Sequence, residues 1–116
     1  MNRRELGMWG EDAALRYLEG KGYSLLTRNY RGERCEIDLI MEHKGALIFV
    51  EVKTRRSDAF GLGREAVTRQ KQLNLIKAAQ SYLNDGGLNA YPARFDVVEV
   101  NVGRGGIQHV INAFTA

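Results

Sequence analysis

Apolar positions recur at helical spacing from Asn2 to about Lys21. Leu6, Ala13, Ala14, Leu15, Tyr17 and Leu18 form one broad arc, with Asp12, Arg16 and Glu19 opposite, and Gly22 is the stop. Tyr23 to Arg31 predicts a first strand. Glu36 to His43 and Ala46 to Thr54 predict two more, joined by a tight turn at Lys44-Gly45. Arg55 to Gly63 reads as a polar, glycine-containing loop. Thr68 to Asn84 is a second helix with Leu73, Leu75, Ile76, Ala79, Tyr82 and Leu83 as its apolar positions. Asp85-Gly86-Gly87 and the single proline, Pro92, mark the next loop. Arg94 to Asn101 alternates as a strand, and Ile107 to Phe114 is the last. This α-β-β-β-α-β-β order predicts an α/β domain with a central mixed sheet of about five strands flanked by helices. With no repeat, linker or low-complexity tract, residues 1–116 read as a single domain.

The strand from Ala46 carries apolar residues on both faces: Leu47 and Phe49 on one, Ile48, Val50 and Val52 on the other. That predicts a central strand covered on both sides, a costly place for Glu51 and Lys53. A two-residue turn at Lys44-Gly45 would set Asp38 opposite Glu51 and Glu36 opposite Lys53, with opposed side chains roughly 5 Å apart. Two carboxylates held ionised at that distance need a cation or a strong positive neighbour. Lys53 offers one charge on the same face, and the oxygen ligands suit magnesium or manganese. A one-residue slip in register would undo the pairing. Glu11 falls within the apolar arc of the first helix beside Ala14, Leu15 and Leu18, which predicts an inward carboxylate in need of a partner. On the second helix Gln72 aligns with Leu75, Ile76 and Ala79, with Lys71 at the edge of that arc.

Composition sharpens this only in part. The chain is 44% hydrophobic and 27% charged, as a folded domain is. One cysteine, Cys35, excludes an intramolecular disulfide and a cysteine-held zinc, and a reduced, cytoplasmic setting is expected. The charged start at Met1-Asn2-Arg3-Arg4-Glu5 is followed by no apolar run, so neither a signal peptide nor a membrane span is expected. Net charge is +3, and the stretch from Arg28 to Lys71 carries ten basic against seven acidic residues, which accounts for the whole excess. Arginine outnumbers lysine 12 to 5, and its forked guanidinium suits phosphate contacts. Arg55, Arg56, Arg64, Arg69 and Lys71 are the candidate nucleic-acid contacts. His43 and His109 lack partners at metal-ligand spacing, and Trp9 and Tyr82 read as core.

Asp38, twelve intervening residues, then Glu51-Val52-Lys53 resembles the PD-(D/E)xK motif of restriction-endonuclease-like nucleases, with Ile37 where the motif name carries proline. Trp9-Gly10-Glu11-Asp12-Ala13-Ala14, Asn29-Tyr30-Arg31, Gly32 to Ile40 and Phe49 to Arg55 resemble the YraN-type family of bacterial proteins, grouped with archaeal-type Holliday junction resolvases. The resemblance runs from about Gly7 to Val100. It implies a restriction-endonuclease-like core and a magnesium-dependent endonuclease acting on DNA, including branched structures. Asp38 and Glu51 would bind the metal with the Val52 carbonyl as a further ligand. Lys53 would orient or activate water, and Glu11 would act as ligand or water-positioner. Lys71 or Gln72 would match the polar position of the second helix, with Glu36 in support. A homodimer is the assembly such relatives suggest.

Two other readings compete. One is a nucleic-acid-binding module that keeps the nuclease fold but works through a partner. The other is an interaction protein in which the same charges are structural ion pairs, with Glu11 favoured only by the helix dipole.

Overall fold

Lys44 and Gly45 both have positive φ, 51° and 82°. This is the twist that two-residue hairpin turns favour. The turn joins β2 (Glu36–His43) to β3 (Ala46–Arg55). It sets His43 opposite Ala46, Ile40 opposite Phe49 and Leu39 opposite Val50, the register a two-residue turn predicts. The computed structural model describes residues 1–56, 67–103 and 106–116. Around the hairpin lie α1 (Arg3–Gly20), β1 (Ser24–Arg31), α2 (Arg69–Gly86), β4 (Ala93–Asn101) and β5 (Ile107–Phe114). The expected loop from Arg55 to Gly63 lies mostly outside the described residues, and Arg55 itself still belongs to β3.

The sheet runs β1-β2-β3-β4-β5. β3 pairs with β4 in parallel, and every other neighbouring pair is antiparallel. β3 is the central strand, and its alternation serves two cores. Leu47 and Phe49 join Ile40, Phe95 and Val97 beneath Leu75, Ala78 and Ala79 of α2. Ile48 and Val50 join Leu39, Met41, Val98 and Val100 beneath Ala14 and Leu18 of α1. Ile37 breaks the pattern of β2: it sits with Ile40 on the α2 side, although an even alternation would send it to the α1 side with Leu39. The break falls at Asp38, where the backbone ladder between β2 and β3 ends.

Local signals fix the helix ends that flank this region. Asn2 and Glu5 form a reciprocal capping box at the start of α1. Thr68 caps α2, accepting from the Lys71 N–H, and Gly87 closes it with a left-handed φ of 66°. At the far end of the sheet, Asp96 is fully buried and gathers the charged and aromatic residues there. His109 Nε2 lies 2.8 Å from it, Arg94 Nε 3.0 Å and the Asn112 N–H 2.9 Å. Burial alone would raise the Asp96 carboxyl, but these three donors outweigh it and hold it below its ordinary value. His43 stacks on Tyr23 with ring centroids 4.0 Å apart. Both histidines are thus structural, and no described helix is long and apolar enough to cross a membrane.

Gly10 lets α1 lie close to β3. A Cβ built there would stand 1.9 Å from Thr54 Oγ1 and 2.8 Å from Thr54 Cβ, an overlap only displacement can relieve. We predict that Gly10→Ala lowers stability by about 1–3 kcal/mol, the usual cost of overpacking, as read by urea unfolding. The double variant Gly10→Ala/Thr54→Ala should recover only part of the loss, because the Cβ of residue 54 still stands 2.8 Å away, whereas Gly10→Ala/Thr54→Gly removes every overlapping atom. Full stability in Gly10→Ala would show that α1 does not approach Thr54 this closely.

Candidate active site

Glu51 occupies a costly position on a central strand and is 5% exposed. Alternation along β3 turns it toward α2, where two ammonium groups meet it. Lys53 Nζ stands 3.6 Å and Lys71 Nζ 3.8 Å from Glu51 Oε2. Lys71 lies in the first turn of α2, which holds no acidic residue. Cations there oppose the helix dipole, so Glu51 supplies the compensating charge that the helix itself lacks.

Asp38 meets Glu51 from β2. Past Leu39–Val50 the ladder gives way to a side chain, and the Val52 N–H donates to Asp38 Oδ2 at 2.8 Å. A strand residue turns its N–H and C=O toward the same neighbour, so the Val52 carbonyl also faces the Asp38 edge. The Asp38 carboxyl is pushed up to about 8, first by burial and then by the charge of Glu51 and its hydrogen bond to it, against the Val52 N–H and Lys71. Burial and the neighbouring Glu51 charge thus favour the protonated form of Asp38, in which it can donate to Glu51. Close carboxyl groups disfavour each other's ionisation, and here the shift falls on Asp38.

Glu11 points inward, as the helical arc predicts, with a side chain 16% exposed. Its partner is Arg28 of β1, whose Nε lies 3.0 Å away, while Arg28 Nη2 reaches Asp12 at 2.6 Å. Burial raises the Glu11 carboxyl, Arg28 lowers it and the charge of Asp38 raises it again. Glu11 is therefore close enough to Asp38 to feel its charge once Asp38 ionises. It approaches from the α1 side, whereas Glu51 faces α2.

Other candidates fall differently. Gln72 is not aimed at the carboxylates: its Nε2 donates to the Val67 carbonyl at 3.1 Å, and its Oε1 accepts from Arg69 at 2.9 Å. Glu36 does not reach Lys53; its ion pair is with Arg31 at 4.0 Å, because β2 departs from β3 at Asp38. Arg55 Nη2 lies 3.7 Å from Glu99 Oε1. Arg56 donates to the Met1 carbonyl at 2.6 Å, and Arg69 reaches the Thr115 carbonyl at 3.5 Å. Arg64 lies outside the described residues. Sequence reasoning passed over Glu99 and Arg28. Glu99 follows Phe95 and Val97 at alternate positions of β4 and shares their face, so an inward acid there was open to the same reasoning as Glu51.

Asp38 and Glu51 suit a hard divalent cation: two adjacent carboxyl groups, one of them keeping a proton that a cation would displace. Among the described residues no three His, Cys, Asp or Glu side chains converge into a ready-made metal cage. Backbone carbonyl, water and phosphate oxygens would have to complete the coordination, as is usual for magnesium.

Fold and site together define an α/β protein with a buried carboxyl pair and two lysines beside its central strand. The family described as "Uncharacterised protein family UPF0102" matches residues 10–100. A UPF0102 protein of Syntrophomonas wolfei is 49% identical over 113 residues, covering 96% of this chain and 98% of the relative. One of Clostridioides difficile is 42% identical over 114 residues, covering 98% and 100%. One of Symbiobacterium thermophilum is 46% identical over 116 residues, covering 97% and 98%. The chain belongs to the UPF0102 family.

A carboxyl whose pKa is higher folded than unfolded binds more protons in the native state. Its contribution to stability therefore falls as pH rises from 3.8 toward about 8. In metal-free buffer we predict that Asp38→Asn, which can still accept from Val52, raises Tm by about 4 °C or more at pH 9. The gain should be smaller at pH 5. Thermal melts at both values check this, and an Asn variant less stable than wild type at pH 9 would contradict it.

Proposed function

We propose that this chain is a divalent-metal-dependent endonuclease that hydrolyses DNA phosphodiester bonds, with branched or junction DNA as its substrate class. The Asp38–Glu51 pair carries the reading. Two carboxyl groups lie side by side in the centre of a sheet, with the Asp38 carboxyl raised by burial and by Glu51, an arrangement that costs stability and that a bound cation would relieve. The Asp38…Glu51-Val52-Lys53 spacing and the inward Glu11 support it.

The residues divide the work. Asp38 and Glu51 would hold magnesium or manganese, with the Val52 carbonyl beside them, and Asp38 would lose its proton on loading. The ion would supply concentrated positive charge to the phosphate and the leaving oxygen. Lys53, held beside Glu51 yet 37% exposed, can hydrogen-bond the attacking water and oppose the charge that develops on the phosphoryl oxygens. Lys71 stands at the N-terminus of α2, where helix dipole and ammonium together favour an anion. Glu11, restrained by Arg28, reaches the site through the field at Asp38 and can position water from the α1 side. Arg55, Arg56 and Arg69 would meet flanking phosphates. We assign the activity to the cytoplasm and to a homodimer, which suits a two-fold branched substrate.

A second reading is a nucleic-acid-binding module that cuts only with a partner. One observation favours it: Glu11 is committed to Arg28, which leaves two carboxyl groups at the centre.

The test is incubation with four-way, flapped and duplex DNA plus magnesium or manganese. Cleavage of at least one substrate is expected. Lys53→Ala and Asp38→Ala should each reduce the rate by about 100-fold or more. Salt-sensitive binding without cleavage in either metal would favour the second reading. Cleavage that Asp38→Ala leaves unchanged would move the activity to another site or to a contaminant.

A further inference from the structure

Glu99 is the most deeply buried charge on the α2 face of the sheet, 0% exposed. It stands in register with Lys53 on β3 and with Gln108 on β5. Among the described residues, neither of its carboxylate oxygens has a hydrogen-bond partner. Its charge partner is Arg55, with Nη2 3.7 Å from Oε1, a separation too long for a hydrogen bond. Arg55 Nε is likewise buried without a hydrogen-bond partner among the described residues. A buried carboxylate with no donor is expensive, and a loose ion pair does not offset it. Folding alone gives no reason for this pair.

Its geometry gives one. The backbone of Arg55 is fixed, because its carbonyl accepts from the Val102 N–H at 2.8 Å and it pairs with Asn101. Glu99 lies one same-face row back toward Glu51, in the row of Lys53. The carboxylate therefore draws the guanidinium back over the sheet toward the lysine and away from the strand end. The side chain stays 39% exposed, and among the described residues its N–H groups make no hydrogen bond. A forked cation fixed from beneath, with donors uncommitted above, is prepared for a phosphate oxygen.

We infer that Glu99 is a positioning residue that holds Arg55 as a phosphate anchor beside Lys53, so that Arg55 grips the DNA backbone next to the scissile bond. This rests on the nucleic-acid reading above and adds to it a buried acid that strengthens DNA binding. Simple charge counting gives the opposite sign, since removing a negative charge should tighten binding to DNA.

The experiment measures binding of the full chain to labelled duplex and four-way DNA without divalent metal, by anisotropy over a series of salt concentrations. Arg55→Ala should lower the magnitude of the slope of log K against log salt by about 0.9, the loss of one phosphate contact. Glu99→Gln should weaken binding severalfold and lower the slope by a similar amount. The double variant should match Arg55→Ala. Tighter binding by Glu99→Gln, or an unchanged slope in Arg55→Ala, overturns the proposal. If Glu99→Gln does not fold, Arg55→Ala decides alone, since its half-exposed side chain can be truncated without opening a core. Wild type that binds DNA with no salt dependence would defeat the nucleic-acid reading itself, which separates that failure from the failure of this one.

Discussion

Two carboxyl groups held together in the middle of a covered sheet set the terms for the rest of this structure. Burial raises the Asp38 carboxyl, and the neighbouring Glu51 raises it further. Nothing in that arrangement favours folding. Three groups keep it tolerable, two from β3 and one from α2: the Val52 N–H on Asp38, and Lys53 and Lys71 on Glu51. Two apolar cores, one under each helix, supply the stability against which this cost is set.

The scaffold serves the pair in specific ways. The Lys44-Gly45 turn fixes which residues of β2 and β3 face each other. The end of their ladder at Asp38 frees the carboxyl to take an N–H that a backbone carbonyl would otherwise accept. The parallel β3–β4 pairing requires the α2 crossover, which delivers the positive end of a helix and Lys71 to the same face. Gly10 draws α1 close enough for Glu11 to lie in the field of Asp38. A further acid, Glu99, and its arginine lie one row along that face.

The elements were legible in the sequence because periodicity and turn chemistry are local. The hairpin register followed from two residues, and the central place of β3 from its two apolar faces. Glu11 could be seen to face inward, but not to meet Arg28, since that contact joins a helix to a strand through the tertiary fold. The pairing of Glu36 with Lys53 needs a ladder that in fact stops at Leu39, and a strand that leaves its neighbour carries no local mark. The helical arc alone turns Gln72 inward. The competing attraction, the carbonyl of Val67 just before the helix, depends on how the chain enters α2. Glu99 alternates with Phe95 and Val97, yet its meaning required knowing that β4 lies beside β3.

The most direct test of a metal-loaded carboxyl pair is a crystal of the protein soaked in manganese and measured for anomalous scattering. The account predicts a peak between the Asp38 and Glu51 carboxyl groups that disappears in Glu51→Gln. A saturating soak with no peak there would contradict it.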